Sequence, residues 1–264
     1  MVKILFRTHR FLADHLFYPL VLSSLLAVSL YATRVVLARN WVVYFNLLWN
    51  LFLAWLPYLF SLWAIALERG RPRRWWLVWL PAALWLAFFP NAPYLLTDFF
   101  HLTQRPGIPL WYDIGLIAAF AWSGFFLALV SLRMMHLVVE GYVGVILGWF
   151  FALSALGLAG LGLYLGRFSR WNSWDLLTSP KAILKETLWR ALNPFQNLSF
   201  YGFTLMFTAL MLVGYLVFIS VRRLNRPPCC VLPPHSPPPR PAWDLLWGHG
   251  CRAPTPDWQS CLFA

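Results

Sequence analysis

FFPNAPYLLTDFFHL, residues 88–102, is the stretch on which the reading of the whole chain turns. Pro90 and Pro93 bracket Asn91. Proline lacks an amide proton and clashes with the preceding turn, so no unbroken helix runs through both positions. The stretch therefore predicts a helix that ends near Phe89 and restarts with Asn91 as its cap. Asn91, Tyr94, Asp98 and His101 then follow at i, i+3, i+7 and i+10. At about 100° per residue these four side chains share one narrow stripe. Beside hydrocarbon, such a stripe is costly unless it faces protein, water or headgroups.

The surrounding composition says which solvent that is. The 264 residues are 60% hydrophobic and 11% charged, with 17 Trp and 22 Phe, and the mean hydropathy is +0.62. Soluble domains carry roughly 25% charged residues, and a soluble core of this length has no room for so much apolar surface. Lipid is the expected partner, with aromatic residues at its interfaces. The net charge of +12 argues for nucleic acid only in a soluble protein. Here Lys and Arg sit between apolar runs, so anionic headgroups explain them and nucleic acid is not expected. All four cysteines, Cys229, Cys230, Cys251 and Cys261, lie near the C-terminal end, so the apolar body holds neither a disulfide framework nor a Cys-based metal site. No metal site is assigned, and the residues name no cofactor.

The predicted fold is all-α: a polytopic bundle of about six transmembrane helices, at about 17–37, 41–67, 75–96, 111–132, 142–165 and 199–221. Each is long enough for ~30 Å of hydrocarbon. A basic segment, 1–16, precedes them, and Arg34 near the end of the first span is expected to snorkel. Asn46 and Asn50 lie one turn apart in the second span and are expected to bond a neighbouring helix. The third span runs into the broken helix at 88–103, and 133–141 reads as a short connection. The Gly-rich fifth span permits close helix contact. Residues 167–194 are too polar to span. Within them, the apolar spacing and the Ser179–Pro180 start signal predict an interfacial amphipathic helix near 180–192. Ten of the 20 prolines fall within 227–256, so 227–264 reads as a disordered tail.

Six crossings put both ends of the transmembrane domain, 17–226, on one side. With that side inside, 11 Lys and Arg face inward and eight outward, a modest positive-inside bias. Whichever way the chain inserts, the third-to-fourth and fifth-to-sixth connections share a face. Asp98, His101 and Asp113 therefore lie on the same side as WNSWD, residues 171–175.

FPNAPYLLTDFFHL (89–102), WNLFLAWLPYL (49–59), WYDIGLIAAFAWSGFFLALVSL (111–132) and GRFSRWNSWDLL (166–177) resemble the DUF1361 family of bacterial predicted membrane proteins, over about 40–225. The resemblance implies a multi-pass protein of a bacterial inner membrane and brings no catalytic or binding residues with it. The candidate polar cluster is Asn91, Tyr94, Asp98, His101, Asp113, Arg167, Trp171, Asn172, Trp174 and Asp175. In a structural reading, Asp98 and His101 pair with each other or cap helix ends, and the aromatic residues are belt anchors. In an enzymatic reading, Asp98, His101, Asp113 and Asp175 supply acid–base groups, and Arg167 or Arg170 holds a phosphate of a lipid-linked or headgroup substrate. A transporter using the broken helix, or an assembly partner using the Gly-rich span and the amphipathic helix, are the remaining alternatives.

Overall fold

The computed structural model describes residues 2–70, 75–104 and 107–224. The elements are helices: α1 (Val2–Asp14), α2 (Phe17–Ala38), α3 (Phe45–Gly70), α4 (Trp79–Phe88), α5 (Asn91–Tyr94), α6 (Leu110–Val143), α7 (Val145–Tyr164), α8 (Asp175–Thr178), α9 (Pro180–Leu192) and α10 (Leu198–Leu224). Among these residues no strand is present. The Pro-rich tail and its cysteines lie outside the described residues.

Five helices, α2, α3, α6, α7 and α10, are long and apolar enough to cross a membrane. The third segment, expected at 75–96, is not a sixth long helix. It consists of a 3₁₀ turn (Trp75–Val78), ten-residue α4, four-residue α5 and a second 3₁₀ stretch, Leu95–His101. It nevertheless crosses the bundle. At one end Tyr44, the residue just before α3, donates to Asp113 of α6. At the other, Glu68 of α3 lies beside Gly141 of α6. The two helices run in the same direction, so the chain between them must return across the bundle.

Sequence and structure differ most at α6. Residues 133–141, expected as a connection, continue the helix to Val143, and the single residue Gly144, at φ 85°, turns the chain into α7. Arg133, His136 and Glu140 fall at i, i+3 and i+7, one helical face. His136 is fully buried, with Nδ1 2.6 Å from the Tyr215 hydroxyl of α10. Asp113 and Arg133 are separated by about 30 Å of helix at ~1.5 Å per residue, which is the hydrocarbon thickness. These two residues stand at opposite ends of one membrane-length stretch of α6.

The bundle is tied by sparse polar contacts between apolar helices, as lipid-immersed proteins require. Ser23 of α2 and Ser123 of α6 share a 2.7 Å hydrogen bond, Trp55 Nε1 of α3 donates to Ser24 at 3.1 Å, and the Tyr112 hydroxyl donates to the Leu30 carbonyl at 2.9 Å. Close approach is made by glycine. A Cβ on Gly160 of α7 would stand 2.7 Å from the Thr204 carbonyl oxygen of α10. One on Gly124 of α6 would collide with the Ala92 carbonyl oxygen. Gly124 thus lets the broken segment press its backbone against α6.

Helix α9 has the expected bounds, and Ser179 occupies its N-cap position without a side-chain cap bond. Its outward face mixes leucine with lysine, Lys181 and Lys185 being exposed on the same side. Leu184, Leu188 and Leu192 point outward, whereas Ile183 is buried and Glu186 and Arg190 bond inward. Leucines and lysines sharing the outer face, over an inner face bonded to the protein, fit a helix lying in the lipid interface with its cations at headgroup level.

Candidate functional site

The break in the third crossing exposes backbone groups that its own sequence satisfies. Pro90, not Asn91, holds the N-cap position of α5. The Asn91 amide instead donates back to the Phe88 carbonyl at 3.0 Å and across to Ser173 Oγ at 2.8 Å. From Leu95 the chain tightens to about three residues per turn. That change brings Thr97 in line with Tyr94, and His101 in line with Asp98.

Arg167, in the widened π turn (Leu165–Ser169) that ends α7, meets this stripe. Its Nη2 donates to Asp98 Oδ1 at 2.7 Å and its Nε to Thr97 Oγ1 at 3.0 Å. Its Nη1 lies 2.7 Å from His101 Nε2. A guanidinium only donates, so His101 accepts through Nε2 and carries its proton on Nδ1. The guanidinium carbon sits 4.5 Å over the Tyr94 ring, a cation–π contact. The second oxygen of Asp98 accepts from Asn50 Nδ2 of α3 at 3.0 Å. Asp98 is 2% exposed. Its charge is tolerated because both oxygens are bonded and a cation faces it.

Beside this pair a cavity of ≈ 150 Å³ opens at the same face, lined by Trp49, Asn50, Asn91, Tyr94, Trp171 and Ser173 among others. At about 30 Å³ per molecule it has room for roughly five waters, or one small polar group. Its far wall is braced by Glu186 of α9, which accepts from Ser169 Oγ at 2.6 Å, Trp171 Nε1 at 2.7 Å and Arg190 Nη2 at 2.8 Å. Burial pushes the Glu186 carboxyl up, but these donors and the Arg190 charge outweigh it and hold the group below the usual carboxylate range. A carboxylate with a depressed folded pKa stabilises the fold above its ordinary pKa, and that contribution is lost as pH falls through the lowered value. Glu186→Gln is therefore expected to unfold at a lower temperature than wild type at pH 7. The two should converge as pH drops below 4.5, the group's ordinary value, read by thermal unfolding in detergent across pH.

The remaining residues named from sequence lie elsewhere. Asp98 and His101 do not pair with each other; both engage Arg167. Asp113 belongs to a separate buried pair: Arg34 Nε and Nη2 reach its two oxygens at 2.7 and 3.1 Å, and Arg34 stacks over Tyr44. Each is 1% exposed, so Arg34 does not snorkel. Asp175 accepts from the Asn172 backbone amide at 2.7 Å, closing a local turn. Trp174 and Trp111 are exposed, as interfacial anchors are. Asn46 is exposed, and only Asn50 of that pair turns inward to Asp98. Thr97 and Glu186 enter these networks without having been singled out by the sequence, and Arg34 enters as a buried ion-pair partner rather than as a snorkelling cation. Among the described residues, no three His, Cys, Asp or Glu side chains converge as a metal site.

Residues 49–213 fit the family described as "Protein of unknown function (DUF1361)". No curated protein and no solved structure matches the chain.

Proposed function

Because this chain belongs to the DUF1361 family, whose description names no activity, we propose its role from its own geometry: it is an integral membrane protein that holds the polar head of a lipid or lipid-linked molecule in the cleft beside Arg167 and Asp98. The observation that carries this reading is the lining of the cleft. It combines amides, a hydroxyl and aromatic rings at headgroup level, while the adjacent charges neutralise each other. The nitrogens of Asn50 and Asn91 are already engaged by Asp98, Phe88 and Ser173. Pinning each nitrogen leaves its carbonyl oxygen as a fixed acceptor for an O–H or N–H of the ligand. Asp113 and Asp175 are bonded away from Asp98, which favours binding over acid–base catalysis. The home we assign is a bacterial inner membrane, supported by the family resemblance and by the 11-to-8 distribution of basic residues.

The test incubates purified protein with vesicles of phosphatidylethanolamine, phosphatidylglycerol or phosphatidylcholine, and counts retained lipid by native mass spectrometry. The first two headgroups donate hydrogen bonds and the third does not. Retention of a donor headgroup about tenfold above phosphatidylcholine is expected, the worth of roughly one good hydrogen bond. Trp49→Ala, which removes a half-exposed wall of the cleft, should abolish that preference while leaving the unfolding temperature unchanged. Equal retention of all three lipids, or an unaltered preference in Trp49→Ala, overturns the assignment.

A further inference from the structure

We propose that α1 is a docking helix for anionic lipid headgroups, on the membrane face opposite the cleft and independent of it. At about 100° per residue, positions Lys3, Arg7 and Arg10 of α1 fall within an arc of roughly 60°. The acid of this helix is Asp14, at its last position. Much of the remaining circumference is apolar. Phe11 and Leu12 are half-buried against the protein, but Leu5 is 72% and Phe6 69% exposed. The bundle alone therefore leaves a hydrophobic flank uncovered next to a cationic stripe. This pairing is the signature of a helix lying in the plane of a membrane surface, with its apolar side among the acyl chains and its cations among acidic headgroups.

The junction with α2 holds the helix at that level. Leu16 takes a left-handed conformation, φ 61°, which stops α1 from continuing α2. His9 Nδ1 lies 2.5 Å from the Tyr18 hydroxyl, and Tyr58 of α3 donates to the His15 carbonyl at 3.0 Å. Helix α1 is thus folded against the first turn of α2. From Arg34 to Phe17, α2 covers about 25 Å at ~1.5 Å per residue. Since Arg34 marks the cleft face, Phe17 stands at the opposite headgroup boundary, and α1 with it. The occupant that fits this position and this charge is a leaflet rich in anionic phospholipid.

The experiment uses the full chain with its four cysteines changed to serine and one nitroxide on Leu5→Cys, reconstituted in nanodiscs. With phosphatidylglycerol in the bilayer, the label should be shielded from a water-soluble relaxation agent and open to oxygen. In pure phosphatidylcholine it should lie in water. Each surface cation shifts such an equilibrium about fivefold, so Arg7→Gln with Arg10→Gln should reduce the docked-to-undocked ratio in phosphatidylglycerol about 25-fold. A label buried equally in both lipids, or aqueous in both, overturns the proposal. So does a label whose burial survives the double substitution.

Discussion

Alanine in place of Asp113 should destabilise the protein by about 3–5 kcal/mol, because it strands a buried guanidinium without its counter-charge. Arg34 and Asp113 are each 1% exposed and joined by two hydrogen bonds. One further Arg34 nitrogen, Nη1, is already buried without an acceptor. Removing the carboxylate leaves the remaining N–H groups facing Tyr44 and hydrocarbon. Replacing both partners, as Arg34→Met with Asp113→Leu, should recover most of the loss, since an apolar pair of similar volume has no charge to desolvate. Unfolding in detergent, followed by tryptophan fluorescence against added SDS, measures both variants. Wild-type stability in Asp113→Ala would mean that Arg34 reaches water after all.

The second large effect is expected at Asp98. Asp98→Ala removes the partner of Arg167 and the acceptor of Asn50 together. Arg167 is less buried than Arg34, at 10% side-chain exposure, and His101 and Thr97 still face it, so the expected cost is lower, about 2–3 kcal/mol. Asp98→Asn keeps an acceptor for the guanidinium and should lose roughly half as much. Arg167→Lys should not substitute for arginine. A single ammonium cannot reach Thr97, Asp98 and His101 from one position, nor present a flat face to Tyr94. A double-mutant cycle of Asp98→Ala with Arg167→Met, read by the same unfolding assay, isolates the pair; coupling below about 0.5 kcal/mol would show that the two charges act independently.

Much of this architecture could be read from residue order alone, and the reasons differ by element. Helix α9 was legible to the residue because Ser179–Pro180 starts it and its leucines repeat at helical spacing. The break after α4 was legible because two prolines three residues apart admit no continuous helix. The meeting of the 88–102 stretch with the connection after α7 followed from counting crossings. Thr97 was hidden because helical periodicity places it off the stripe, and only the tighter 3₁₀ turn moves it under Arg167. The extension of α6 to Val143 was hidden because Arg133, His136 and Glu140 look like a loop until Tyr215 of α10 is brought beside them. The Arg34–Asp113 pair joins distant positions, each of which, taken singly, reads as an ordinary interfacial charge.

The broken third crossing also constrains how the polypeptide is assembled. Helix α4 covers only about 15 Å at ~1.5 Å per residue, half the hydrocarbon thickness, and the stretch after it carries Asp98. Such a segment is a poor substrate for one-at-a-time release into lipid. Of the side chains that satisfy it, Asn50 precedes it, but Arg167 and Ser173 are synthesised well after it. The segment must therefore wait, shielded by the insertion machinery or held at the surface, until α7 has emerged. Translation of α7, the fourth long helix, not of the third crossing itself, sets the moment at which this part of the bundle closes.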